Sequence, residues 1–89
     1  MNQLEKEQAF ERALKETLRS AIEHEVMGER SGEDLLGRVE TLIRGILYPK
    51  GLGATQIYLE TMEGGILVSL KLPPKTPRVG VIRIEVSTG

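Results

Sequence analysis

The chain has 89 residues, which suffice for one domain with a thin core, and because only 3% of them are aromatic, that core must be aliphatic. The 12 basic and 13 acidic residues give a net charge of −1, without the basic surplus typical of a nucleic-acid binder. The lack of cysteine excludes disulfides, Cys-based zinc sites and thiol catalysis. No apolar run approaches the roughly 18 residues of a membrane span, and the charged first residues contain no secretory signal, so we expect a soluble protein.

A long amphipathic helix is predicted for residues 2–27, a stretch without glycine or proline that is rich in Glu, Lys, Arg, Leu and Ala. From Phe10 onwards its apolar residues recur every four positions, so the apolar stripe drifts by about 40° per step around the helix. Two interpretations follow. The helix packs obliquely on its own domain, or its beginning, up to about Phe10, is an arm that docks on a neighbouring molecule. We therefore distinguish an N-terminal helix or arm, residues 1–30, from a core, residues 31–89, within a single domain.

The core should contain one more helix and three strands. The helix is predicted from about Gly32 or Glu33 to Leu47, where the apolar residues form one broad face. Ser31 and Asp34 have the spacing of a capping box. The strands are predicted for residues 54–61, 66–72 and 78–86, because apolar side chains alternate there with polar ones. Gly64 and Gly65 supply a hairpin turn. The expected fold class is α+β, with two N-terminal helices packed on a small, mainly antiparallel three-stranded sheet with open edges.

No group of residues in the sequence suggests catalysis. The one histidine, His24, has Ser20 and Gly28 four residues away, and neither can complete a metal site. Asp34 stands where a helix begins, so capping accounts for it. The glycines at 51 and 53 follow a helix and precede a strand, which is the reverse of a phosphate-binding loop. We therefore expect no enzyme, no catalytic residue, no cofactor, no metal and no small-molecule substrate.

The two edges of a three-stranded sheet are the best candidates for function. Unpaired edges are a liability that proteins either protect or use, and this sheet could take in a strand from another chain. Basic residues around the proline-rich connection form either an ionic patch or a protection against aggregation: Lys71, Lys75, Arg78 and Arg83. The residues that we predict in a protein interface lie on the first helix, on the connection and on the last strand: Leu4, Phe10, Pro73, Pro74, Pro77, Arg78, Arg83 and Val86.

Residues 37–86 resemble the C-terminal domain of contractile-tail sheath proteins from phages and related injection systems. The shared features are an aliphatic helix at 39–47, a glycine-containing link, a strand at 56–60, a Val-x-Leu strand that ends in proline at 68–74, and an alternating strand at 81–86. The resemblance implies a sheet that is completed by the terminal arms of neighbouring subunits. The outer domain of a whole sheath subunit is missing, and the baseplate sheath-initiator family fits better in size, although its Glu-Pro-Arg-like motif is absent.

The resemblance implies a non-enzymatic structural protein of a phage-type contractile tail, similar to a sheath, sheath-initiator or tail-completion component. It would act by strand addition and helix docking, with copies of itself and other tail subunits as partners and without nucleic acid or membrane. Its location would be the virion tail, or the host cytoplasm during assembly. The alternative is a small dimeric regulatory or ligand-binding α+β module, with a pocket between the second helix and the sheet.

Overall fold

The computed structural model describes residues 2–27, 34–74 and 80–87. The elements in these ranges are helix α1 (Gln3–Met27), helix α2 (Leu35–Leu47), a short 3₁₀ helix (Tyr48–Lys50), and strands β1 (Gln56–Met62), β2 (Gly65–Lys71) and β3 (Val81–Ser87). The prediction of an α+β fold with two helices and an antiparallel three-stranded sheet is confirmed. None of the helices in the described ranges combines the length and the apolar character needed to cross a membrane.

Helix α1 is capped at its beginning by two reciprocal hydrogen bonds. Asn2 Oδ1 accepts from the backbone N–H of Glu5 at 2.8 Å, and Glu5 Oε1 accepts from the backbone N–H of Asn2 at 3.1 Å. Together they form a capping box, which satisfies two backbone donors that a helix start leaves without partners. The first turn is therefore held in helical form although its side chains are exposed.

Helix α2 begins at Leu35, because Asp34 is its N-cap: Asp34 Oδ1 accepts a hydrogen bond from the backbone N–H of Gly37 at 3.0 Å. The predicted capping role of Asp34 is confirmed. The predicted start at 32 or 33 was too early, because Asp34 is the N-cap and the N-cap residue precedes the first helical position. Ser31, the other residue of the predicted capping box, lies outside the described residues.

The sheet is a simple antiparallel meander in the order β1-β2-β3. A two-residue turn joins β1 to β2, with Met62 opposite Gly65 and with Gly64 at a φ of 79°, a value that favours glycine. Gly65 is required for a different reason, because a Cβ there would collide with the carbonyl oxygen of Val86 on β3. Strand β1 begins two residues later than predicted, since Thr55 forms a turn with Leu52 through both its N–H and its hydroxyl group.

One face of the sheet is covered by the two helices. Helix α1 contacts β3 and helix α2 contacts β1. The alternation predicted for the strands is confirmed. The buried core takes side chains from α1, α2, β2, β3 and the links beside them: Leu14, Leu18, Ile22, Val39, Ile43, Leu47, Leu52, Ile66, Val68, Leu70, Leu72, Ile82, Ile84 and Val86. At the β1 side the cover is incomplete, because Ile57 and Leu59 remain half-buried and Thr61 is exposed.

Candidate interaction surfaces

The described residues contain no group of three or more His, Asp or Glu side chains that could hold a metal ion. His24 is exposed in the last turn of α1, and the side chain of Asp34 caps α2. Surface features that could bind another protein are more prominent. They are the two sheet edges, the beginning of α1, and the face of the sheet away from the helices.

The sheet edges are β1 and β3, each of which pairs with β2 alone in the part of the chain that the structure describes. Their inner side chains differ in burial. Ile82 and Ile84 of β3 are fully buried, whereas Ile57 and Leu59 of β1 are half-buried. The outer side chains differ in charge, because β3 presents Arg83 and Glu85 whereas β1 presents mostly uncharged groups. The edge at β1 is therefore the more apolar of the two.

The beginning of α1 extends beyond the rest of the domain. Helix α1 has 25 residues and α2 has 13, and an ion pair between Glu25 and Arg38 aligns the end of α1 with the start of α2. All three buried residues of α1 lie between 14 and 22, and Leu4 is 61% exposed. The molecule is accordingly elongated, with principal extents of 45, 22 and 18 Å. We refer to residues 3–9 as the arm.

A small cleft lies where the arm meets the body. It has a volume of about 100 Å³, and its walls combine apolar side chains of α1 with the end of the 3₁₀ helix: Phe10, Ala13, Leu14, Thr17 and Lys50. Phe10 is half-buried against the core, so it belongs to the body rather than to the arm. The cleft is too small for a ligand of ordinary size, which occupies at least about 300 Å³.

The residues predicted for the interface fall into separate places. Leu4 lies on the arm and Phe10 at its base, whereas Arg83 is exposed on the outer face of β3. Val86 is 2% exposed and packs in the core beside Ile82 and Ile84, so only its main chain can contribute to an edge.

Of the prolines, Pro73 is half-buried and Pro74 exposed just after β2, while Pro77, like Arg78, lies outside the described residues.

The outer face of the sheet was not among the predicted surfaces. It carries three exposed apolar side chains, Tyr58 at 58% exposure together with Met62 and Val81, and Leu67 is half-buried between them. Its charged side chains are all exposed: Glu60, Lys71, Arg83 and Glu85. The outer positions of each strand could be read from the sequence, but which of them are neighbours depends on the register.

The chain matches no protein-family model, no curated protein and no solved structure. We therefore infer a function from the surfaces of the fold. Among the described residues they include two edge strands that each pair with β2 alone, a capped helical arm, and a sheet face on the side away from the helices, all of which suit contacts with other proteins.

Proposed function

We propose that the protein is a non-enzymatic assembly module of a phage-type contractile tail, similar to a sheath, sheath-initiator or tail-completion component. It joins neighbouring subunits by accepting a β-strand at a sheet edge and by docking its arm. The observation that carries this proposal is that β1 and β3 each have a single neighbour among the described strands. Each edge thus presents main-chain N–H and C=O groups to which an extended segment can bind.

The positions of the helices restrict what can bind at these edges. Helix α1 contacts β3 and helix α2 contacts β1, so each edge strand has a helix packed against its inner face. Neighbouring strands lie about 4.8 Å apart, whereas the axes of packed helices need about 8–10 Å. An added strand that brought its own covering helix on the same face of the sheet would place two helices too close together. The edges therefore favour a lone extended segment, such as a terminal arm of another subunit.

The edge at β1 is the better acceptor. Ile57 and Leu59 are half-buried there, so an added strand would remove further apolar surface from water. On β3 the inner side chains are already buried, and the exposed pair Arg83 and Glu85 protects the edge against unwanted pairing. An incoming strand at β1 would gain both main-chain hydrogen bonds and apolar contact.

The arm supports a second contact with the neighbouring subunit. Its capping box holds the first turn in helical form before any partner binds, which lowers the entropy that docking must overcome. Leu4 is its large apolar side chain, and exposure of 61% leaves it available to a partner.

The test combines the purified chain with sheath and tube proteins of a phage-type contractile tail. We expect a complex by size-exclusion chromatography with light scattering. In that complex, outward-facing amides of β1 should gain protection from hydrogen exchange, while amides of β2, which is paired on both sides, should not change. Failure to bind any tail protein, or binding without added protection in β1 or β3, would contradict the proposal. A chain without residues 1–9, which keeps Phe10 and the core, serves as a matched variant that separates the arm's contribution from that of the edge.

A further inference from the structure

On the outer face of the sheet, the register of the strands places the basic side chains in one half and the acidic side chains in the other. Side chains opposite each other on neighbouring strands point to the same side, so the outer face consists of four rows across the three strands. The two middle rows are Tyr58-Ser69-Arg83 and Glu60-Leu67-Glu85. The two end rows are Gln56-Lys71-Val81 and Met62-Gly65-Ser87. The first half of the face is therefore basic, through Lys71 and Arg83, and the second half is acidic, through Glu60 and Glu85.

These four charges have no partners within the described residues. No ion pair joins Glu60, Lys71, Arg83 or Glu85 to another side chain in the described ranges, and all four are exposed. The ion pairs that the structure does contain there lie on the helices. The outer face thus has a basic half and an acidic half and is neutral overall. Both halves also carry apolar side chains.

We propose that this outer face binds the outer face of a second copy of the chain, about a twofold axis that runs across the strands. Such an axis exchanges the two halves of the face. It places Arg83 of each copy opposite Glu85 of the other, and it places Leu67 opposite Ser69 and Tyr58 opposite Glu60. Two equivalent Arg83–Glu85 pairs then form across the axis, one on each side of it.

The charges discriminate against the other face-to-face arrangement. A twofold axis parallel to the strands would place Glu60 opposite Glu85 of the second copy and Lys71 opposite Lys71. Like charges directly opposed in an interface are unfavourable, so this arrangement is rejected. Edge-to-edge pairing of two copies with their helices on the same face of the joined sheet is disfavoured as well, because the helices over β1 and β3 would collide. Pairing of the outer faces about an axis across the strands brings neither like charges nor helices together. Sheets stacked in this way normally pack about 10 Å apart.

The size of the face predicts a weak dimer. Three strands of seven residues cover roughly 14 by 24 Å, or about 350 Å² per copy. Stable complexes bury about 1,200 Å² or more in total, so the dimer should form only at high protein concentration. Copies that an assembly already holds side by side would pair more readily, since their effective concentration is high. Any assembly that holds two copies side by side would have this effect.

A concentration series followed by NMR tests the proposal. We expect concentration-dependent chemical shifts at Tyr58, Leu67 and Arg83, with much smaller changes on the helices, and a dimer that weakens with added salt. Arg83→Glu and Glu85→Arg should each weaken dimerisation by at least about tenfold, and the double variant R83E/E85R should restore it, because the exchange recreates both opposite-charge pairs. Arg19→Glu, which makes the same charge change on the exposed side of α1, is the control and should leave dimerisation unchanged.

Three results would overturn the proposal. The first is a chain whose spectra do not change with concentration. The second is a dimer whose affinity is insensitive to the single charge reversals, or is not restored in the double variant. The third is a set of shifts confined to the edges or to the arm. Circular dichroism of each variant distinguishes loss of dimerisation from loss of folding, since these exposed side chains contribute little to stability.

Discussion

Arg38 Nε of α2 lies 3.4 Å from Glu25 Oε2 of α1, and this ion pair links the two helices at the end of the domain opposite the arm. The Arg38 Nε–H is buried and has no hydrogen-bond acceptor among the described residues, so the interaction is one between charges. Both side chains keep contact with solvent, at 24% and 33% exposure, which limits the strength of the pair.

A double-mutant cycle with Glu25→Gln and Arg38→Gln should therefore yield a coupling energy of about 0.5–1 kcal/mol at low salt. Urea unfolding of the four proteins gives this value, and about 1 M salt should reduce it because the pair is partly exposed. A coupling of zero at low salt would mean that packing alone sets the alignment of the helices.

The N-cap of α2 should matter for the stability of the whole domain. Asp34→Ala removes the acceptor for the Gly37 N–H, and the helix that it caps contributes Val39, Ile43 and Leu47 to the core. We expect a loss of about 1 kcal/mol in the free energy of unfolding, while Asp34→Ser should recover most of it because Ser is also a good N-cap. Chemical denaturation measures both variants. Equal losses for Ala and Ser would show that the hydrogen bond is not the cause.

The cap of α1 should behave differently, although its chemistry is the same. Asn2→Ala breaks the hydrogen bond to the Glu5 N–H, but the arm that follows has no residue in the core. The free energy of global unfolding should change by less than about 0.5 kcal/mol, whereas helical NMR shifts of residues 3–9 should decrease as the arm frays. A large loss of global stability would show that the arm packs on its own domain.

The contrast between these two caps shows what could be read from the sequence. Asp34 precedes an apolar periodic stretch, and its role as a cap follows from that position. Asn2 and Glu5 have the three-residue spacing of a capping box, so this cap too could be predicted from the sequence. The protrusion of the arm could not, because it depends on where α2 packs along α1. The inner faces of the strands were predictable, because strict alternation in residues 66–72 leaves one choice of buried side.

The surface patterns were less accessible, for a physical reason. The opposition of Ser69 to Arg83 and of Leu67 to Glu85 follows from the register of β2 with β3, and a shift of one residue would move every side chain to the other face. Alternation within one strand contains no information on the register with the next. The burial of Val86 could be predicted, because Val86 lies two residues after Ile84 and so points to the same face of β3. Whether another element covers the main chain at that edge could not be predicted, because it depends on where the helices pack.

Two glycines should respond in opposite directions to the same substitution. Gly45 lies inside α2, and a Cβ there would meet no atom within 4 Å, so Gly45→Ala should stabilise the domain by about 0.5–1 kcal/mol. Gly65 lies against the Val86 carbonyl group, so Gly65→Ala forces β2 and β3 apart and should cost roughly 1–3 kcal/mol. Thermal unfolding followed by circular dichroism ranks the two variants against the parent. A neutral Gly65→Ala would mean that the strands separate there without loss of pairing.

Leu4 and Leu18 lie on the same helix, and truncation of each should separate function from stability. Leu18 is fully buried, so Leu18→Ala should cost about 2–5 kcal/mol in unfolding free energy. Leu4 is 61% exposed, so Leu4→Ala should change stability by less than about 0.5 kcal/mol. If the arm docks on a neighbouring subunit as we propose, the same variant should weaken that binding. Denaturation and light scattering of the mixed proteins measure the two effects. Should Leu4→Ala bind as well as the parent, strand addition alone would hold the subunits together, because the arm's large apolar side chain would then contribute nothing to the contact.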